Sequence, residues 1–234
     1  MPTTRWNWNP RNKSPLRALK RSIREDQRRL TMTTQAIRNP KTDHLLTAEN
    51  AALILIDFQP GLVDGTNSIR REALVNNVVA LAKTAKLFEM PVILSTIAVE
   101  AGYQEPTIPE LIEVLPNVTP IDRTAVNAWE QPEFRAAVEA LGRRKLIIAG
   151  LWTEVCLVFP ALDLLKEGYE VYAVSDASGG TSVDAHQRAM ERVIQAGAVP
   201  VTWEAVMAEL GQLYKGDYIG SFVEIMSEHL SNSV

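Results

Sequence analysis

Cysteine is almost absent from this 234-residue chain, and Cys156 is its one thiol. An internal disulfide is therefore excluded, and the expected setting is a reducing, cytoplasmic compartment. Long hydrophobic runs are missing as well. Although 46% of the residues are hydrophobic, no stretch approaches the ~18 apolar residues that a bilayer span requires, so no membrane partner is expected. The N-terminal residues hold no apolar core of the kind a secretory signal needs. No segment repeats. What remains is enough apolar material for one sizeable core rather than two small ones.

Charge is unevenly placed. The net charge of −4 conceals nine Lys or Arg against Glu25 and Asp26 within residues 1–31, an excess of +7, which leaves the remainder near −11. Residues 1–40 show only a weak helical pattern around Leu16, Leu19 and Ile23. A basic run without an organised aromatic or helical face reads as a solvated, disordered extension, or as sequence upstream of a true start at Met32. A nucleic-acid arm or a transit-type peptide is the sharper alternative, but nucleic acid is not the expected partner. The working division is a basic extension at 1–40, a catalytic domain at 41–215 and a tail at 216–234. In that tail Ile219, Phe222, Val223, Ile225 and Met226 predict an amphipathic helix able to pack on a neighbouring subunit.

From Ala51 onward, apolar runs alternate with helical periodicity. AALILIDF (51–58), PVILSTI (91–97), KLIIAG (145–150), YEVYAV (169–174) and PVTW (200–203) read as five buried strands. Residues 70–89, 132–141, 183–196 and 205–213 read as helices, with a short one at 109–115. Strands alternating with helices predict an α/β fold, a three-layer α/β/α sandwich around a mainly parallel, Rossmann-type sheet. Residues 98–120, rich in Pro and Glu, form a long connection of the kind used as a binding loop.

In such a sheet the carboxyl ends of the strands line the ligand crevice. Asp57 follows the first strand, Arg123 precedes an Asn127-Ala-Trp129 segment, and Cys156 follows Gly150, Thr153 and Glu154 at the head of a new helix. The positive end of a helix dipole lowers a thiol's pKa, which makes Cys156 a candidate nucleophile; a buried, inert thiol is the alternative reading. An acid to take the thiol proton and a cation to balance the anion complete a sensible set.

The strings LILIDFQPGL, RTAVNAW, IIAGLWTEVCL, FPALDLLKEGYEVYAVSDA and HQRAMERVIQAGA together resemble the isochorismatase-like cysteine hydrolase superfamily, and within it the YcaC-related branch. The resemblance covers about residues 48–210. It implies a catalytic triad in which Asp57 is the general base and Cys156 the nucleophile. The family's usual lysine is replaced by Arg123, whose guanidinium stays charged and does not relay a proton. The resemblance also implies a cis peptide at Trp152–Thr153 that would turn N–H groups, including that of Cys156, toward an oxyanion. No cofactor and no metal are implied, since zinc-binding relatives use paired histidines and the three here, His44, His186 and His229, stand apart from Asp57 in sequence. His186 reads as a surface or packing residue.

Residues flanking the triad supply the expected substrate pocket: Phe58 and Gln59 beside the acid, Asn127 and Trp129 beside the cation, and Trp152 and Phe159 beside the thiol. The expected function is hydrolysis of a small-molecule C–N bond of the amide type through a thioester, by a homo-oligomer. Two rivals remain at the level of sequence: a vinyl ether hydrolase using Asp57 without the thiol, and a non-catalytic binding protein.

Overall fold

The computed structural model describes residues 39–212 and 216–232. The expected basic extension at 1–40 lies outside the described residues, apart from Asn39 and Pro40. Six parallel strands form one sheet: β1 (Ala51–Ile56), β2 (Val92–Ile97), β3 (Ile121–Arg123), β4 (Lys145–Gly150), β5 (Glu170–Val174) and β6 (Val199–Val201), in the order β3-β2-β1-β4-β5-β6. The helices are α1 (Pro60–Asp64), α2 (Arg71–Leu87), α3 (Pro109–Val114), α4 (Pro132–Ala140), α5 (Val158–Lys166), α6 (Val183–Gln195), α7 (Trp203–Gly211) and α8 (Ile219–His229). This is the expected α/β/α arrangement around a parallel sheet.

The two central strands explain why the sequence reads so clearly there. All six residues of β1 and all six of β4 are buried. They pair in register from Ala51 opposite Lys145 to Ile56 opposite Gly150. A strand covered on both faces has no solvent side, so its apolar run is continuous rather than alternating. Each of Leu53, Ile54, Leu55 and Ile56 gains roughly 1.5–3 kcal/mol by leaving water. Gly150 closes β4 because a Cβ there would meet both the Cβ and the carbonyl oxygen of Ile56 at 3.3 Å. The chain runs outward from β1 through β2 to β3, then returns to place β4 on β1's other side. The β1/β4 boundary is therefore the switch point, where a crevice opens beyond the carboxyl ends.

The structure corrects several expectations. There are six strands, not five: Ile121–Arg123 pairs with β2, a strand too short to show a period. The last strand ends at Val201, and Trp203 begins α7, capped by the Thr202 hydroxyl, which accepts the N–H of Ala205 at 3.3 Å. The tail helix α8 buries Ile219, Phe222, Val223 and Ile225 within its own chain. It lies on α2, where Asn76 donates to the carbonyl of His229 at 2.9 Å and Lys83 pairs with Glu228 at 2.7 Å. Four of its five apolar residues are thus covered by its own chain. Among the described residues no helix is long and apolar enough to cross a membrane.

Candidate active site

Asp57 stands one residue beyond β1 with φ of +62°, a left-handed conformation uncommon outside glycine but better tolerated by Asp. Its N–H donates to the carbonyl of Ser95 on β2 at 2.9 Å, and its carbonyl accepts the N–H of Gln59 at 2.8 Å. That turn leaves the carboxylate fully buried.

Arg123 ends β3, two strands away, and strands lie about 4.8 Å apart. Its long side chain crosses the end of β2 to close the gap. Nη1 donates to the Ser95 hydroxyl at 3.1 Å and the Thr96 carbonyl at 3.0 Å on the way. The guanidinium then clamps Asp57 through two parallel bonds, Nη1 to Oδ1 at 2.6 Å and Nη2 to Oδ2 at 2.7 Å. Neither side chain reaches solvent. Nη2 also donates to the carbonyl of Val126 at 3.3 Å, while buried Nε has no hydrogen-bond partner among the described residues. Burial alone would lower the Arg123 pKa. Hydrogen bonding to Asp57 and its charge outweigh that, with smaller contributions from Cys156, so the pKa is raised and the guanidinium stays charged.

Cys156 enters from β4. It does not occupy the first turn of a regular helix, as the sequence suggested, but a π-helical turn, Thr153–Leu157, that leads into α5. Such turns recur at functional sites. The thiol is buried, 7% exposed. Burial, then the charge of Asp57 and hydrogen bonding to it, push the thiol well above its ordinary pKa, and Arg123 and the Trp152 backbone offset this only in part. The expected lowering at a helix terminus is therefore overturned: desolvation and a neighbouring carboxylate dominate, so the resting sulfur is a thiol.

The three triad candidates thus meet in one buried cluster, which the sequence could place only on a common edge. Among the described residues no group of three or more His, Cys, Asp or Glu side chains is arranged to hold a metal ion.

The surrounding residues differ more from expectation. The cis peptide is Leu151–Trp152, one residue earlier than Trp152–Thr153. The N–H of Cys156 donates to the Trp152 carbonyl at 2.9 Å and that of Thr153 to the Gly179 carbonyl at 2.9 Å, so neither is free for an oxyanion. Gln59 is no pocket wall: its amide donates to the carbonyls of Ile97 and Glu105 and accepts the N–H of Ile97, pinning the long loop to the sheet. Asn127 is likewise committed, donating to Asp163 at 2.8 Å and accepting the N–H of Trp129 at 3.1 Å. Trp129 belongs to the core, edge-on to Tyr169 and beneath the Arg135 guanidinium. Phe58 is buried, and Phe159 packs partly buried against the core. Trp152 is half-buried, its indole N–H bonded to the Leu62 carbonyl at 2.9 Å; its ring lies where a Cβ on Gly65 would come within 2.6 Å.

Sequence reasoning missed Ser95, the Arg123 acceptor; a polar residue at the C-terminal end of an otherwise apolar strand was the available signal. It also missed Asp122, which accepts from the Thr96 hydroxyl and the N–H groups of Val99 and Glu100, fixing the loop that follows β2. His186, expected at the surface or in packing, is half-buried, with Nδ1 2.9 Å from the Thr153 hydroxyl.

Residues 51–205 match the isochorismatase domain model. The chain belongs to the isochorismatase family. It is 40% identical over 186 residues to the protein named "Probable hydrolase YcaC" from Escherichia coli (strain K12), covering 79% of this chain and 88% of that protein. Among solved structures, YcaC from Pseudomonas aeruginosa, with hexane-2,5-diol and covalent acrylamide, superposes with a TM-score of 0.77 at 38% identity, covering 81% of this chain and 94% of that one. The Escherichia coli YcaC structure, described as an octameric hydrolase of unknown specificity, gives 0.76 at 38% identity over 86% and 95%. This isochorismatase-family chain therefore shares its fold along nearly the whole length of those relatives.

Proposed function

We propose that this isochorismatase-family hydrolase cleaves a small-molecule C–N bond of the amide type through a thioester on Cys156. One observation carries the reading: a lone thiol buried against a carboxylate that an arginine clamps at both oxygens. Because the resting sulfur is a thiol, Asp57 takes its proton as the sulfur attacks the carbonyl carbon rather than beforehand. Arg123 holds Asp57 in line and keeps a positive charge beside the sulfur throughout. The Trp152 backbone, which partly offsets the rise in the thiol's pKa, supplies the N–H that faces the oxyanion. Collapse expels the amine with the proton from Asp57. A water then attacks the thioester, Asp57 accepting its proton, to release the acid and the thiol.

The vinyl ether alternative gives no role to the buried thiol that lies beside Asp57. The covalent acrylamide on the Pseudomonas aeruginosa relative favours a fold that exposes a nucleophile to a small amide-bearing molecule. As with the octameric relative, we place the working protein in a homo-oligomer, and a reducing, cytoplasmic setting suits its unpaired thiol. Cys156→Ala is expected to lower turnover of a panel of small amides by about 10⁴-fold or more with the thermal midpoint retained. Undiminished turnover by that variant would remove the covalent step. Loss in Asp57→Asn alone would leave the vinyl ether chemistry.

A further inference from the structure

The turn that carries Cys156 is fastened by polar groups that this chemistry leaves unused. Thr153, fully buried, donates its N–H to the carbonyl of Gly179 at 2.9 Å, and its hydroxyl oxygen lies 2.9 Å from Nδ1 of His186 in the first turns of α6. The next residue, Glu154, accepts from the N–H of Thr181 at 3.0 Å and from its hydroxyl at 2.7 Å. Gly180 makes this approach feasible, because a Cβ there would stand 2.6 Å from Glu154 Oε2 and 2.9 Å from the backbone nitrogen of His186. A neutral imidazole offers one acceptor and one donor nitrogen, whereas an imidazolium offers two donors.

We infer that His186 is a positioning residue for the thiol: with Nδ1 unprotonated it accepts the Thr153 hydroxyl and locks the Cys156 turn against Asp57, and protonation reverses that bond and frees the turn. The inference rests on the proposed reading of Cys156 as the nucleophile for its consequence in turnover. The hydrogen of the buried Thr153 hydroxyl then loses its acceptor, which costs free energy in the closed arrangement and weakens the hold of α6 on the turn. Burial holds the His186 pKa below its ordinary 6.5, with Glu154 partly opposing, so the locked form prevails at neutral pH and is lost as pH falls below that range. Of the charged groups on the elements packed against the ring, Glu154 lies on the turn, and Asp163 and Lys166 lie on α5. On its own helix, Asp184, Arg188 and Glu191 form an exposed ion cluster with one another.

The single cysteine makes the test direct. Iodoacetamide labelling of the full chain, followed by intact mass, reads the accessibility and ionisation of Cys156 alone. A locked thiol is buried with a raised pKa and labels slowly. His186→Leu is expected to label about tenfold faster at pH 8 and to lose kcat with KM within about twofold. His186→Asn, which puts an amide near the Nδ1 position and does not titrate, is expected to stay within about threefold of wild type at pH 8, as is Thr153→Ser. Between pH 7.5 and 5, the wild-type labelling rate divided by that of His186→Asn should rise at least threefold. Superimposable profiles for those two proteins would overturn the inference, even if His186→Leu fails to fold. Failure of every amide to turn over, with the labelling profile as described, would instead sink the hydrolase reading and leave this one standing.

Discussion

Two buried cations sit at opposite ends of the same sheet, and they are held in different ways. At the carboxyl edge, Arg123 faces a buried carboxylate at 2.6 and 2.7 Å, with a thiol beside both. At the opposite edge Lys145, 5% exposed at the start of β4, donates to three neutral backbone carbonyls: Asp43 at 2.8 Å, His44 at 2.5 Å and Leu45 at 3.1 Å. The carboxylate of Glu170, on the exposed side, lies 4.0 Å away. One strand, β4, therefore begins with a cation that ties down the chain before β1 and ends near a sulfur poised for chemistry. A compact charge surrounded by carbonyl dipoles is a fastening; a charge pair completed by a third titratable group is a reactive assembly.

The largest effect should come from breaking the reactive end. Arg123→Met keeps much of the volume but leaves Asp57 as an unpaired buried charge, and removal of one partner of such a pair costs about 3–5 kcal/mol. Urea unfolding should show a loss of that size, together with loss of amide turnover. The double variant Asp57→Leu with Arg123→Met should recover most of the stability and none of the activity, because the pair's desolvation is removed along with its attraction. A double variant as unstable as the single would mean that the clamp is a net source of stability, like an ordinary fastening.

Lys145→Met tests the other end and should do less. The three carbonyls it abandons are neutral. One of them belongs to Asp43, which with Lys145, Asn50, Arg143 and Glu170 lines a cavity of about 550 Å³ that gives water a way in. About 1–3 kcal/mol should be lost in urea unfolding, with kcat/KM for a small amide unchanged within about twofold. If Lys145→Met costs as much stability as Arg123→Met, or abolishes turnover, the division between a structural and a reactive edge is wrong.

The same contrast sets how much the sequence could reveal. The sandwich was legible because β1 and β4 are buried on both faces and write that fact as unbroken apolar runs. Asp57, Arg123 and Cys156 were legible because strand ends at one edge of a parallel sheet converge. Their neighbours were not. Whether an amide such as that of Gln59 or Asn127 faces a ligand or a backbone carbonyl depends on loop paths between residues nearly forty positions apart. The α8 face looked free only because its cover, α2, lies about 150 residues earlier in the chain. The pKa of Cys156 failed for a related reason: a helix-terminus argument is local, whereas desolvation and the Asp57 charge come from the tertiary fold.

That last failure has a measurable signature at the reactive end. Burial and Asp57 raise the Cys156 thiol above its ordinary value of 9.0. Over the range from about pH 9 upward, the unfolded chain has released this proton while the native protein keeps it. The native state then binds more protons than the unfolded state, so stability falls as pH rises, by up to about 1.4 kcal/mol per pH unit for this one group. Cys156→Ser has no proton to release in that range. Urea midpoints of wild type and Cys156→Ser should therefore differ by a constant amount below about pH 8, and wild type should lose ground steadily above pH 9. Curves that stay parallel to pH 10.5 would mean the thiol ionises as readily in the folded protein as in the unfolded chain. Burial and Asp57 would then not raise the thiol's pKa, and the carboxyl edge would lack the coupling that sets it apart from the Lys145 end.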